Sequence, residues 1–357
     1  MLEITDFLQT MVEQGGSDLY IAAGASIRCN INGVLHAYTP DPLTPEMTHY
    51  LVKQLLTEQQ WSEFYQRREL NLAYSLKNLA RFRVNVYFQR GSVAAVIRLI
   101  KMQIPSFAEL NLPKTLGEIA LAKRGLILVT GATGSGKSTT MAAMIDYRAE
   151  HHDGHIVTVE DPVEYVFRHK KSIVTQREVG IDTYSFKEAL KNTLRQAPNV
   201  IYIGELRDSE TVEFALHSAE TGHLVLATLH STNASQTIER IVNFFPKEYF
   251  HSVYLQLAGN LRAIISQRLI PRKIGGRVPV LEILINTALV SELILKNEFG
   301  SLKKVMEGGK NEGMQTFDQH LYQLVQDNCV TEEEALKYAD SATDLRLRLR
   351  GFQATTY

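Results

Sequence analysis

Several things are scarce in this 357-residue chain, and each scarcity removes a class of function. Its two cysteines, Cys29 and Cys329, lie far apart and form no C-x-x-C pair. A disulfide framework and a thiolate zinc site are therefore not expected, and the usage fits a reducing cytosol. No apolar run is long enough to span a bilayer. The start, MLEITDFLQTM, lacks the basic residues and apolar stretch of a signal peptide. The 38 Lys and Arg nearly balance 39 Asp and Glu, for a formal net charge of −1. That leaves no bulk electrostatic footprint for nucleic acid, so none is expected as a partner. Any membrane role must run through another protein. The length suits two domains.

What is present is organised around Gly131-Ala132-Thr133-Gly134-Ser135-Gly136-Lys137-Ser138-Thr139, a G-x-x-x-x-G-K-[ST] phosphate loop. The apolar run Leu126 to Thr130 before it reads as a buried strand, and Ser138 to Glu150 after it reads as a helix. Strand, loop and helix start aim successive N–H groups and a helix dipole at one point, which suits a triphosphate. Thr133 to Thr139 are thus the expected nucleotide-binding residues. Lys137 would place a compact charge on the β- and γ-phosphates, and the Ser138 hydroxyl would ligate Mg²⁺. A chance glycine-rich turn would lack the strand and helix on either side.

Residues 1 to about 100 read as a mixed α/β unit. Ile4 to Val12 is an amphipathic helix, Asn32-Gly33 is a two-residue hairpin signal, and Thr44-Pro45 and Thr57-Glu58-Gln59-Gln60 open helices. At its end, Arg81 to Phe88 and Val93 to Ile100 alternate about a turn at Arg90-Gly91. A hairpin centred there makes paired numbers sum to 181 and places Phe82, Val84, Val86 and Phe88 on one apolar side. It also sets Arg83 opposite Arg98. Like charges so opposed are unfavourable unless something anionic lies between them, which points to a phosphate, from a neighbouring subunit. Two solvated arginines are the plainer alternative.

Met102 to Leu121, with Pro105 and Pro113, reads as a linker. His151, His152 and His155 read as a polar turn rather than a metal site. Ile156 to Val159 is a strand ending in Glu160-Asp161-Pro162, acids placed to act through Mg²⁺ or water. Val200 to Ile203 is another, ending in Gly204-Glu205-Leu206-Arg207-Asp208, where Glu205 can orient or deprotonate the attacking water. Gly222-His223 leads into a strand at Leu224 to Thr228, and His230 follows, placed to sense the γ-phosphate. This order of strand-ending motifs implies a parallel, RecA-like sheet with its site at the carboxyl edge. The basic and apolar residues of the tail, Asp344 to Arg350, suit either a partner surface or a solvated segment.

GATGSGKST, VEDPVEY, LRQAPNVIYIGELRD and TGHLVLATLHS resemble the Walker A, Asp box, Walker B and His box of the secretion ATPase superfamily. The chain is most similar to its type IV pilus retraction ATPases, the PilT/PilU family. The resemblance extends to SDLYI, ARFRVN and GMQTFDQHL. It implies a homohexameric, Mg-dependent ATPase with a PAS-like N-terminal domain (1–100), a linker (101–113), a RecA-like core (114–285) and a helical C-terminal region (286–357). ATP would sit at the interface between the two domains. It assigns the Asp-box acid to Glu160, the catalytic Glu to Glu205, the His-box histidines to His223 and His230, and the paired arginines to Arg83 and Arg98. It implies work at the cytoplasmic face of the inner membrane, through a platform protein. The family's R-x-x-P-D appears as Arg195-Gln196-Ala197-Pro198-Asn199, with amide for acid. The AIRNLIRE stretch of the PilT branch is here Val290 to Glu298 without its arginines, which tips the resemblance toward the PilU-type accessory branch beside a PilT partner. An assembly or secretion ATPase, and a low-turnover docking subunit, stay open.

Overall fold

The computed structural model describes residues 2–77, 79–100 and 103–351. Residues 101 and 102 of the expected linker lie outside them. The chain divides into two compact units, Met1–Gln103 with Val163–Val166 and Gly180–Asp182, and the remainder from Ile104 onward.

The first unit runs α1 (Ile4–Glu13), β1 (Asp18–Ile21), β2 (Arg28–Ile31), β3 (Val34–Ala37), α2 (Pro45–Lys53), α3 (Glu58–Arg67), β4 (Glu69–Leu76), β5 (Ala80–Gln89) and β6 (Ser92–Ile100). Its six-stranded sheet has the order β3-β2-β1-β6-β5-β4, antiparallel throughout, with the first and last strands as central neighbours. Asn32 and Gly33 both take positive φ, as the two-residue turn between β2 and β3 requires. Thr44 caps α2, and Thr57 and Gln60 form the capping box of α3. The β5–β6 register is the expected one, with Phe82 opposite Leu99 and Arg83 opposite Arg98. β4 was not anticipated. Its alternating leucines pack Leu72 on the core and leave the other face open.

The second unit runs α4 (Thr115–Ala120), β7 (Gly125–Thr130), α5 (Lys137–His151), β8 (Gly154–Glu160), β9 (Ser172–Glu178), α6 (Phe186–Thr193), β10 (Val200–Ile203), α7 (Ser209–Glu220), β11 (Leu224–Leu229), α8 (Ala234–Val242), α9 (Phe250–Asn260), β12 (Leu261–Pro271), β13 (Arg277–Ile285), α10 (Ala288–Lys296), α11 (Leu302–Gly308), α12 (Phe317–Gln326), α13 (Glu332–Tyr338) and α14 (Ala342–Leu349). The seven-stranded sheet has the order β13-β12-β7-β11-β10-β8-β9, parallel except for β13. β7, β10 and β11 are buried along their whole length, as their unbroken apolar runs require. The expected α/β, RecA-like architecture is what the chain adopts. β9, β12 and β13 escaped sequence reading. The tail, expected to meet a partner surface or to be solvated, forms the helix α14, with Leu345 buried beside Phe317, Leu321 and Val330 on the β12–β13 hairpin.

His320 of α12 is buried, and its Nδ1 accepts the Leu281 N–H at 2.9 Å, so the ring proton sits on Nε2. Burial pushes this imidazole down to about 4. The unfolded chain takes up the proton near pH 6.5 and the folded one only near 4, so its contribution is complete above 6.5 and is lost as pH falls toward 4. Urea unfolding is expected to show about 2 kcal/mol of stability lost between pH 7 and pH 5 through this group. His320→Asn should flatten that slope, and an unchanged slope in the variant would contradict the assignment.

Candidate functional site

The phosphate loop bridges the end of β7 and the start of α5. Gly136 holds the αL position (φ 88°) just before Lys137, and a Cβ there would come within 2.8 Å of Gln267 Nε2. Gln267, from the neighbouring strand β12, is the prop. Its amide donates to the Ser135 carbonyl at 2.7 Å and accepts from Thr140 Oγ1 at 2.7 Å, fixing loop and helix to the sheet together. Lys137 Nζ lies along the loop, donating to the carbonyls of Gly131 (2.8 Å) and Ala132 (3.0 Å). Thr133 and Gly134 are exposed at the tip, and Ser138 and Thr139 lie half-buried on the first helical turn. The buried Ser135 Oγ has no hydrogen-bond partner among the described residues, a donor that a phosphate oxygen would satisfy. A cavity of about 280 Å³ opens on Gly131 to Ser135, walled by Thr232, Arg268, Leu269 and Tyr338.

At the carboxyl edge of β10 and β11, a chain of polar contacts leads away from the loop. Lys137 Nζ is 3.4 Å from His230 Nδ1, His230 Nε2 is 3.0 Å from Glu205 Oε1, and Arg207 Nε donates to Glu205 Oε2 at 2.8 Å. Arg207 continues to Asp161 at 3.1 Å. An ammonium only donates, so His230 Nδ1 is the acceptor and Nε2 carries the proton toward Glu205. Both oxygens of the Glu205 carboxylate are thereby aimed. Gly204 before it is held by its N–H on the Val159 carbonyl at 2.8 Å and by Thr228 Oγ1 on its carbonyl.

Glu160, at the end of β8, is buried, and its Oε1 accepts from Thr158 Oγ1 (2.6 Å) and Gln176 Nε2 (3.2 Å). It stands beside Gly204 because β8 and β10 pair in register. Lys137, Glu160, Glu205, Arg207 and His230 are thus gathered at one sheet edge. His223 and Arg195 are not. His223 precedes β11, at the opposite edge, where its Nδ1 lies 3.1 Å from the Ser218 carbonyl. Arg195 is exposed in the turn before β10. Asn199, at the acid position of R-x-x-P-D, still serves as an acceptor, taking the His155 N–H at 2.8 Å.

In the first unit Arg83 and Arg98 do face each other, and the chain itself supplies an anion beside Arg98. Asp18 of β1 pairs with Arg98 in register, and its Oδ1 takes Arg98 Nε at 2.6 Å. The like-charge opposition is tolerated because this buried carboxylate occupies one guanidinium. Arg83 makes no ion pair among the described residues.

The model of the type II/IV secretion system proteins matches residues 2–275. This chain belongs to that family. It is 50% identical over 350 residues to the type IV pilus ATPase PilU of Pseudomonas aeruginosa, covering 98% of this chain and 92% of the relative. Identity to the type IV pilus retraction ATPase PilT of the same organism is 39%, over 95% and 98% of the two chains. Among solved structures, the pilus retraction motor PilT with bound ADP superposes with a TM-score of 0.89 at 44% identity, covering 96% of this chain and 98% of that one.

In this secretion ATPase, sequence reasoning missed Gln267 and Asp18. Gln267 left a trace as Ser266-Gln267, two polar residues directly after the apolar Ala263-Ile264-Ile265 of β12 and both buried. Such a break in a central strand requires a partner. Gln267→Leu keeps the volume but strands the Ser135 carbonyl and Thr140 hydroxyl. It is expected to weaken binding of a fluorescent ADP analogue about tenfold and to destabilise by roughly 2–4 kcal/mol. Unchanged ADP affinity would show that the loop does not depend on this prop.

Proposed function

We propose that this chain hydrolyses ATP to power retraction of type IV pili, as a homohexamer of the PilU accessory type working beside a PilT-type paralogue. The observation that carries the reading is the contact chain Lys137–His230–Glu205 at the mouth of the phosphate loop, in a chain half identical to a PilU along almost its whole length. The loop N–H groups and the α5 dipole bind the β- and γ-phosphates, and Lys137 turns from its loop carbonyls onto them. Glu205, held by His230 and Arg207, orients the attacking water and takes its proton. His230, bridging Lys137 and Glu205, couples the lysine's position to the carboxylate's. Arg83 and Arg98 of a neighbouring subunit offer positive charge to the nucleotide phosphates, the former making no ion pair within its own unit among the described residues.

A magnesium ion fits the residues present. The Ser138 hydroxyl would hold it and Glu160 would stand behind through water, and the ion would supply charge neutralisation between the β- and γ-phosphates. Among the described residues no helix is long and apolar enough to cross a membrane. Work at the cytoplasmic face of the inner membrane then runs through the pilus platform protein.

Fluorescently labelled pili in cells lacking this chain test the reading. Retraction should slow, recover with the wild-type chain and not with Glu205→Gln, and stay absent whenever the PilT-type paralogue is also deleted. A failure to extend pili would indicate an assembly ATPase, and full complementation by Glu205→Gln would indicate a docking subunit; either would overturn the proposal.

A further inference from the structure

Four residues, His230 to Asn233, connect β11 to α8 and carry the histidine of the site. One end of this connection is fixed by the ladder, Leu229 pairing with Thr130 beside the phosphate loop. The other end is fixed by a group that nothing in the hydrolytic chemistry uses. The N–H of Ala234, first residue of α8, donates at 2.7 Å to Glu282 Oε1. The same oxygen accepts from Ser266 Oγ at 3.1 Å.

Glu282 is 3% exposed in the middle of β13, within the run Val278 to Ile285 that is otherwise apolar. Burial pushes its carboxyl above the ordinary range, and the Ala234 and Ser266 donors only partly offset that. A side chain this costly to bury reports a constraint on what it holds. Thr237 of α8 restrains the same connection at two further points. Its Oγ1 bonds the Asn233 carbonyl (2.7 Å) and Ser231 Oγ (2.7 Å), and reaches Thr130 Oγ1 at 3.4 Å. Ser266 pairs with Thr130 in the sheet and adjoins Gln267, the prop of the phosphate loop. Loop and histidine connection thus rest on one buried polar lattice.

We propose that Glu282 is a positioning residue: by pinning the start of α8 it fixes His230 between Lys137 and Glu205. The inference rests on the reading that His230 and Glu205 serve ATP hydrolysis. Its effect belongs in kcat rather than in nucleotide affinity, because the loop itself is held by Gln267.

The test is steady-state ATPase activity and ADP affinity of the full chain, for Glu282→Leu and Glu282→Gln, each with and without His230→Ala. Glu282→Leu should lower kcat about tenfold or more with ADP affinity within about twofold of wild type. Glu282→Gln, whose carbonyl still accepts from Ala234, should recover most of the loss. In the His230→Ala background Glu282→Leu should add less than about twofold, since its effect passes through the histidine. Equal losses in both backgrounds, or a loss of ADP affinity matching that in kcat, would overturn the proposal. Should Glu282→Leu fail to fold, Thr237→Val releases the same His230–Asn233 connection at Ser231 and Asn233 with a near-isosteric side chain. Its expected loss is about fivefold, again absent without His230, and a loss that persists there would overturn the proposal. Turnover in the wild-type chain that ignores His230→Ala would instead remove the underlying reading, and this inference with it.

Discussion

A phosphate loop binds only while its N–H groups are held apart and convergent, and backbone alone does not hold them. Here Gln267 supplies the restraint, donating to the loop at Ser135 and accepting from α5 at Thr140, each at 2.7 Å. Gln267 can reach because β12 lies beside β7 in the sheet and carries its amide to the same edge. The site therefore depends on a non-local strand pairing as much as on the motif. The same arrangement brings Ser266 against Thr130, so that loop, histidine connection and Glu282 share one set of buried donors and acceptors. Buried polar groups of this kind are stable only when satisfied together.

Most of the site was legible because its residues sit at strand ends, where an apolar run stops and a polar group follows. Glu160, Glu205 and His230 each end such a run, and the parallel order of β8, β10, β11 and β7 brings them to one edge. The hairpin of β5 and β6 was legible to the residue, because alternation leaves only one register with a clean apolar side. Four of the described strands escaped: β4 and β9 are edge strands whose partial exposure weakens the signal, while Ser266-Gln267-Arg268 and Glu282 interrupt the apolar runs of β12 and β13.

The limits of legibility are instructive at Arg98 and His223. Opposed arginines imply a nearby anion, and sequence cannot say whether that anion is a ligand or a side chain eighty positions away. One such anion is Asp18, brought to Arg98 by β1 pairing with β6. His223 shares a motif with His230, yet the six residues of β11 carry the two to opposite edges of the sheet. Proximity in sequence across a strand is separation in space, about 20 Å for six residues.

The central claim is that the carboxylate aimed by His230 and Arg207 turns a nucleotide-binding loop into a hydrolytic site. Single-turnover hydrolysis of ATP by Glu205→Gln, with ATP affinity measured on the same preparation, tests it most directly. The account predicts affinity within about threefold of wild type and a hydrolysis rate lowered by about a hundredfold or more. Hydrolysis at the wild-type rate by that variant would contradict it.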